Sequence, residues 1–241
     1  MKIEGKNALQ EALNAEVKLL KVLILKSNKD EFTQNIIKQL KSQNINYNLV
    51  EKHILDNQSK TGHHQGFIGI MPEYKYASVD DILNKANTLN EEVFILILDK
   101  IVDPHNLGSI IRTAECAGVH GVIFPKNNAC EVNETVIRTS AGSVNHMLIS
   151  KVTNINNTIR ELKQKQIFCY ALEANGNLIY KSNLKGNLAL VVGSEGSGVS
   201  KLTKELCDDV VSLPMIGKVN SLNASVASAI GVYEALKQRK F

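Results

Sequence analysis

The stretch that decides the fold is Val191–Gln238, "VVGSEGSGVSKLTKELCDDVVSLPMIGKVNSLNASVASAIGVYEALKQ". It opens on an apolar run that ends in "GSEGSG" at 193–198. A second run, "VVSL", ends in the turn "PMIG" at 214–217, and "NSLNAS" at 220–225 leads into a long helical segment. Apolar runs of this kind are buried strands, and the ligands of parallel sheets gather beyond the carboxyl ends of such strands. The glycine spacing is GxxGxG and lies late in the chain. The dinucleotide fingerprint is GxGxxG after the first strand, with an acid about 20 residues on. A nicotinamide-dependent oxidoreductase is therefore disfavoured.

Working outward, the same alternation extends back to residue 91. "VFILILD" predicts a central parallel strand, "NLGSIIRTAECAGV" a helix and "GVIF" a strand, with helices over "NETVIRTSAGS" and "NNTIRELKQKQ" and strands over "IFCYAL" and "LALVVG". Alternating strands and helices imply a parallel sheet covered on both faces. Residues 1–72 read as a separate small α/β unit. Its helices are "GKNALQEALN" and "DEFTQNIIKQLKSQ", and its strands are "KVLILK", "NYNLV" and "GFIGIM". Residues 73–90, polar and set off by Pro72 just before them, read as a linker holding one short helix that begins near Ser78.

At 241 residues and 44% hydrophobic, the chain can bury one large core or two modest ones. Its longest apolar runs fall far short of the ~18 residues a membrane span needs, and its N-terminus has no apolar signal core. Cys116, Cys130, Cys169 and Cys207 are scattered without a CxxC pair, so neither a disulfide framework nor a zinc site is expected. His63 and His64 in "TGHHQG" lack metal-ligand partners at useful spacing, which leaves a loop role or RNA contact. The cytosol is the expected compartment. A net charge of +4 is compatible with nucleic-acid contact without demanding it. Positive charge is carried almost wholly by lysine; the arginines are Arg112, Arg138, Arg160 and Arg239. Arginine so sparingly used points to positions that need a planar, bidentate donor.

Asn106 falls at a helix N-cap, a placement that capping alone can explain. Arg112, on the otherwise apolar helix "SIIRTAECAG", needs an anion or solvent. Glu195 is a poor turn filler among glycines unless it is paired, and Arg112 is an attractive mate. The turns "PMIG" and "NSLNAS" expose backbone groups suited to a flat, neutral heterocycle such as adenine. Ser221, Asn223 and Ser225 begin a helix whose small first residues permit close approach by backbone or ligand.

Three segments, "DPHNLGSIIRTAECAGV", "LVVGSEGSGVSK" and "LPMIGKVNSLNASVASAI", resemble the signature motifs of the SpoU (TrmH-like) branch of the SPOUT methyltransferases. "IEGKNALQEAL" and "TGHHQGFIGI" resemble the small substrate-binding domain that some members carry in front, so the resemblance spans nearly the whole chain. It is strongest to the branch that methylates a guanosine ribose in 23S rRNA. Compact members acting on tRNA generally lack the front domain. The resemblance implies a catalytic domain with a C-terminal trefoil knot at 91–241, and an RNA-binding domain at 1–72. It also implies S-adenosylmethionine as methyl donor, a homodimer that builds the active site jointly, and no metal. Gly193, Leu213, Ile216 and Leu222 would line the donor pocket, largely through backbone atoms. Asn106, Arg112, Glu195, Ser221 and Asn223 would form the catalytic group. A tRNA substrate, or an RNA-binding assembly factor without activity, are the rival readings.

Overall fold

Short strands, two of them with three consecutive buried residues, shape the first part of the chain. The computed structural model describes residues 1–14 and 16–241, which divide into two compact units, Met1–Lys75 and Tyr76–Phe241. The first unit runs β1 (Lys2–Glu4), α1 (Lys6–Asn14), β2 (Lys21–Leu25), α2 (Glu31–Ser42), β3 (Tyr47–Val50), α3 (Lys52–Gln58) and β4 (Phe67–Ile70). Its sheet has the order β1-β4-β2-β3. β2 and β3 are parallel, and β4 runs antiparallel to both of its neighbours.

On one face Leu23 and Ile68 pack with Leu55 of α3. Phe67 points to the other face and meets Phe32 of α2 edge-on, ring centroids 5.7 Å apart. α2 starts where its sequence dictates, since the Asp30 carboxylate accepts the Thr33 N–H at 2.9 Å. α3 is not legible in the sequence. It is short and contributes a single buried residue, Leu55, so it leaves no apolar stripe.

The loop before β4 is held from inside the unit. The Glu4 carboxylate accepts the backbone N–H groups of Lys60 and Thr61 and the hydroxyls of Ser59 and Thr61. Burial alone would raise the Glu4 pKa, but these donors outweigh it and bring it down to about 2. His64 is 7% exposed, with Nε2 at 2.9 Å from Asp56, while Nδ1 accepts the Gly66 N–H at 3.0 Å. His64 thus serves to fix the loop, and His63 beside it is exposed.

The second unit runs α4 (Val79–Leu89), β5 (Phe94–Asp99), α5 (Pro104–Cys116), β6 (Gly121–Pro125), α6 (Glu134–Thr139), β7 (Leu148–Val152), α7 (Ile155–Gln164), β8 (Phe168–Leu178), β9 (Leu188–Gly193), α8 (Lys201–Leu206), β10 (Asp209–Ser212) and α9 (Ala224–Lys240). Its six strands lie in the order β10-β8-β9-β5-β6-β7, and every pairing is parallel. β5 and β9 lie centrally and are buried at every residue, as their unbroken apolar runs require. α4 and α7 cover the face carrying Ile95, Ile97, Ala189 and Val191. α5 and α9 pack together, α5 against β6 and α9 against β9. Each fully buried Ile or Leu in these layers contributes about 1.5–3 kcal/mol of transfer free energy.

The stretch expected to be a linker differs from that reading in one respect. Its helix α4 carries Ile82, Leu83 and Ala86 into the core of the second unit, closed at its start by a Ser78/Asp81 capping box. The polar residues around Ile82, Leu83 and Ala86 masked this apolar stripe in the sequence. β7 and α8 also escape the sequence. β7 is an edge strand with only part of its length buried, and α8 buries only Thr203.

Candidate active site

Parallel strands deliver their loops to one end of the sheet, and three segments converge there around a cleft of about 360 Å³. They are Leu172–Ala174, Val192–Gly198 and the stretch from Leu213 to Ala227. The first is an excursion of β8. Between consecutive residues Val210 and Val211 of β10, the partner on β8 jumps from Ala171 to Asn177. Gly176 closes that excursion, because a Cβ there would be driven into the Val210 carbonyl.

The loop after β9 folds onto itself. Gly198 N–H donates to the Ser194 carbonyl at 2.8 Å, and the Ser194 and Ser197 hydroxyls lie 2.7 Å apart. A Cβ on Gly193 would be driven into the Gly198 backbone, so the tight closure itself demands glycine. The far end of the loop is anchored to β5. Asp99, 3% exposed, accepts both the Ser200 backbone N–H and its hydroxyl. Thr203 and Asn156 continue this chain of hydrogen bonds.

At the edge of the cleft three side chains far apart in sequence meet. Asn106 donates through Nδ2 to Glu195 Oε1 at 2.9 Å, and its Oδ1 accepts from Asn223 Nδ2 at 2.9 Å. Asn223 Nδ2 also donates to Glu195 Oε1, as does the Ala224 backbone N–H at 3.3 Å. The Glu195 carboxylate therefore sits at the N-terminus of the 17-residue helix α9, where the macrodipole favours negative charge. Asn223 is at once the cap of that helix, its Oδ1 accepting from Ser225 N–H and Val226 N–H.

Several placements differ from expectation. Asn106 is not a cap. Asp103 takes that position, accepting from the N–H groups of His105 and Asn106, and Pro104 follows at the first helical residue. The sequence carried this signal in "DPHN", since proline favours the first turn and aspartate the position before it. Asn106 is thereby freed to point at Glu195.

Arg112 is exposed and makes no hydrogen bond or ion pair among the described residues, so the expected pairing with Glu195 is not formed. Six residues of α-helix turn through about 600°, which sets Arg112 on a different face from Asn106. Gly193, Leu213, Ser221 and Leu222 line the cleft. Ile216 does not: it is 99% exposed, and Met215 lines the cleft instead.

Glu173, Asp99 and Met215 were not legible as site residues, because the first depends on the excursion of β8 and the second on a loop returning from β9. Among the described residues, no group of three or more His, Cys, Asp or Glu side chains could hold a metal ion, and no helix is long and apolar enough to cross a membrane. The charged side chains lining the cleft are Glu173 and Glu195, both acids. Such a lining repels polyphosphates and favours a ligand bearing positive charge on a partly apolar body.

Residues 93–233 match the SpoU rRNA methylase family. The chain belongs to that family. Residues 2–77 match the substrate-binding domain of RNA 2′-O ribose methyltransferases, so the two SpoU-related matches follow the two units of the fold. YacO of Bacillus subtilis (strain 168), named for the TrmH family of tRNA/rRNA methyltransferases, is 42% identical over 237 residues, 98% of this chain and 94% of YacO. A solved RNA 2′-O ribose methyltransferase shares 26% identity at a TM-score of 0.62, covering 100% of this chain and 89% of its own. The SpoU methyltransferase AviRb from Streptomyces viridochromogenes, crystallised with AdoMet, superposes at a TM-score of 0.68 with 21% identity over 99% of this chain and 89% of its own. At that identity the likeness is one of SpoU fold. The parallel sheet with a small α/β unit in front, expected from the motifs, is the architecture found.

Proposed function

We propose that this chain transfers a methyl group from S-adenosylmethionine to the ribose 2′-hydroxyl of a guanosine in 23S rRNA, an RlmB-type activity. The observation that carries the reading is the Asn106–Glu195–Asn223 cluster at the rim of an acid-lined cleft. The donor brings an electrophilic methyl group on a sulfonium, and the small, acidic, partly apolar cleft suits such a cation. Gly193, Leu213 and Leu222 would hold it, with Ile216 serving through its backbone.

The 2′-hydroxyl is a weak nucleophile, so its developing negative charge needs stabilisation. Arg112 supplies that stabilisation through its positive charge and contacts the adjoining phosphate, with its exposed guanidinium held out by α5. A guanidinium keeps its proton at neutral pH, which makes it a stabiliser of the alkoxide and not a base. Glu195, Asn106 and Asn223 fix the loop after β9 to α5 and α9. Ser221 and Asn223 position the ribose, and alignment of hydroxyl with methyl group provides much of the acceleration.

The family resemblance extends the proposal to a trefoil knot in 91–241, a homodimer that completes each active site, and action in the cytoplasm. Residues 1–72 would choose the RNA. Lys18, Lys21, Lys26, Lys29, Lys38 and Lys41 give that segment sequence-independent attraction to phosphate. Residues 2–77 match a substrate-binding domain of RNA 2′-O ribose methyltransferases, and the resemblance, in which compact tRNA-acting members generally lack such a front domain, favours rRNA; relatives such as YacO are named for both.

The test is methyl transfer by the full chain to 23S rRNA and to bulk tRNA, with mapping of ribose positions resistant to alkaline cleavage. One 2′-O-methylguanosine in 23S rRNA is the expected product. Incorporation into tRNA alone would move the substrate, and incorporation into neither would remove the activity.

A further inference from the structure

Glu173 stands on the excursion of β8 and lines the cleft. Its Oε1 accepts the backbone N–H of Val199, and a Cβ on Gly198 would be driven into the same carboxylate. The carboxylate is therefore pressed against the loop after β9 and placed by it, without a cationic partner. Its second oxygen, Oε2, takes no hydrogen bond or ion pair among the described residues. The other acid of the cleft differs. Glu195 Oε1 already serves three N–H donors, from Asn106, Asn223 and Ala224. Glu173 is thus the lining carboxylate that is half withdrawn from water, fixed in position, and left with acceptor capacity.

We infer that Glu173 reads the positive charge of the methyl donor, with Oε2 taking an onium group, either the α-ammonium or the sulfonium of S-adenosylmethionine. The inference rests on the donor occupying this cleft, as proposed above. A charge-assisted contact of this kind is roughly twice as strong as a neutral one, and stronger still in a partly water-excluded cleft. The same side chain latches the β8 excursion to the loop after β9. One residue would then both close the cleft wall and recognise the charge.

Glu173→Gln separates these tasks, because glutamine keeps an acceptor for the Val199 N–H and loses the charge. Calorimetric titrations of the full-length chain would use S-adenosylmethionine, S-adenosylhomocysteine and uncharged 5′-methylthioadenosine. The variant should bind S-adenosylmethionine at least about tenfold more weakly and methylthioadenosine within about twofold of the wild type. A loss shared with S-adenosylhomocysteine assigns the contact to the ammonium, and a loss confined to S-adenosylmethionine assigns it to the sulfonium. Unchanged S-adenosylmethionine binding overturns the inference, as does an equal loss for all three ligands, which would make Glu173 a wall of the cleft only. Should the variant fail to fold, the wild type supplies a second measurement. Added sodium chloride should weaken S-adenosylmethionine binding and spare methylthioadenosine. Equal salt dependence for both overturns the inference. A wild-type chain that binds no S-adenosylmethionine removes the donor from this cleft altogether, an outcome distinct from a failed charge contact.

Discussion

Asn223 uses the two ends of one carboxamide for two tasks: Oδ1 caps helix α9, and Nδ2 donates to Glu195, 28 positions earlier in the chain. Folding of the last helix and assembly of the cluster are thereby joined in one side chain. Glu195 in turn is held by α5 through Asn106 and by the start of α9.

Two substitutions separate the tasks. Asn223→Ala loses the cap, which costs about 1 kcal/mol and lowers Tm by roughly 2–4 °C for a unit of this size. Asn223→Asp keeps a capping oxygen but sets a carboxylate against Glu195. Its Tm should stay nearer the wild type than that of the alanine variant, while methyl transfer falls by about a hundredfold or more. Thermal melts read beside single-turnover rates check this. Asp at full activity would show that the donor end of Asn223 is dispensable.

Thiol reactivity should divide the four cysteines. Burial pushes the thiols of Cys169 and Cys207 up to about 12, so at pH 8 only about 10⁻⁴ of either is thiolate. Cys130, half-buried, is also raised by burial. Cys116 is exposed at the end of α5. Brief alkylation of the native chain, read by mass spectrometry, should label Cys116 first and leave Cys169 and Cys207 unmodified until denaturant is added. Prompt labelling of Cys207 would mean that the end of α8, where this half-buried residue lies, opens readily.

The lowered pKa of Glu4 carries a pH dependence of definite sign. Its folded value of about 2 lies below the ordinary 4.5, so the stabilisation is fully present above 4.5 and is lost as pH falls through the folded value. After discounting for solvent screening, the contribution is on the order of 1–2 kcal/mol. Glu4→Gln should lower the urea midpoint of the first unit at neutral pH and flatten its decline between pH 4.5 and 2. An identical decline in both proteins would place the acid sensitivity elsewhere.

What the sequence revealed follows from which interactions are local. The runs at 94–99 and 188–193 announced central strands because burial on both faces leaves no polar alternation. "GSEGSG" and "NSLNAS" announced strand-end loops because tight closure and capping restrict residue type. Partners were harder to foresee. Glu195 stood out as an acid needing company, and its expected mate was Arg112. The company proved to be two amides, since helix phase directs Asn106, and not Arg112, toward the loop. Glu173 left no trace in the sequence, because its place depends on a register jump between β8 and β10 that no local pattern encodes.

That helix phase gives the role of Arg112 a sharp test. Its guanidinium is exposed and without a protein partner among the described residues, which leaves its N–H donors open to a ligand. Two roles are compatible with such a group: a proton acceptor for the ribose hydroxyl, or a planar donor that steadies the alkoxide and the neighbouring phosphate. Arg112→Lys discriminates between them. Lysine keeps the charge, loses the fork of N–H donors, and titrates near pH 10.4 where arginine titrates above 12. If Arg112 stabilises charge by bidentate contact, the variant should lose about a hundredfold in rate, with donor affinity intact and no new ionisation in the pH–rate profile. If it accepts the proton, the rate should survive and its alkaline limb should move toward the lysine value, which would overturn the stabilising role.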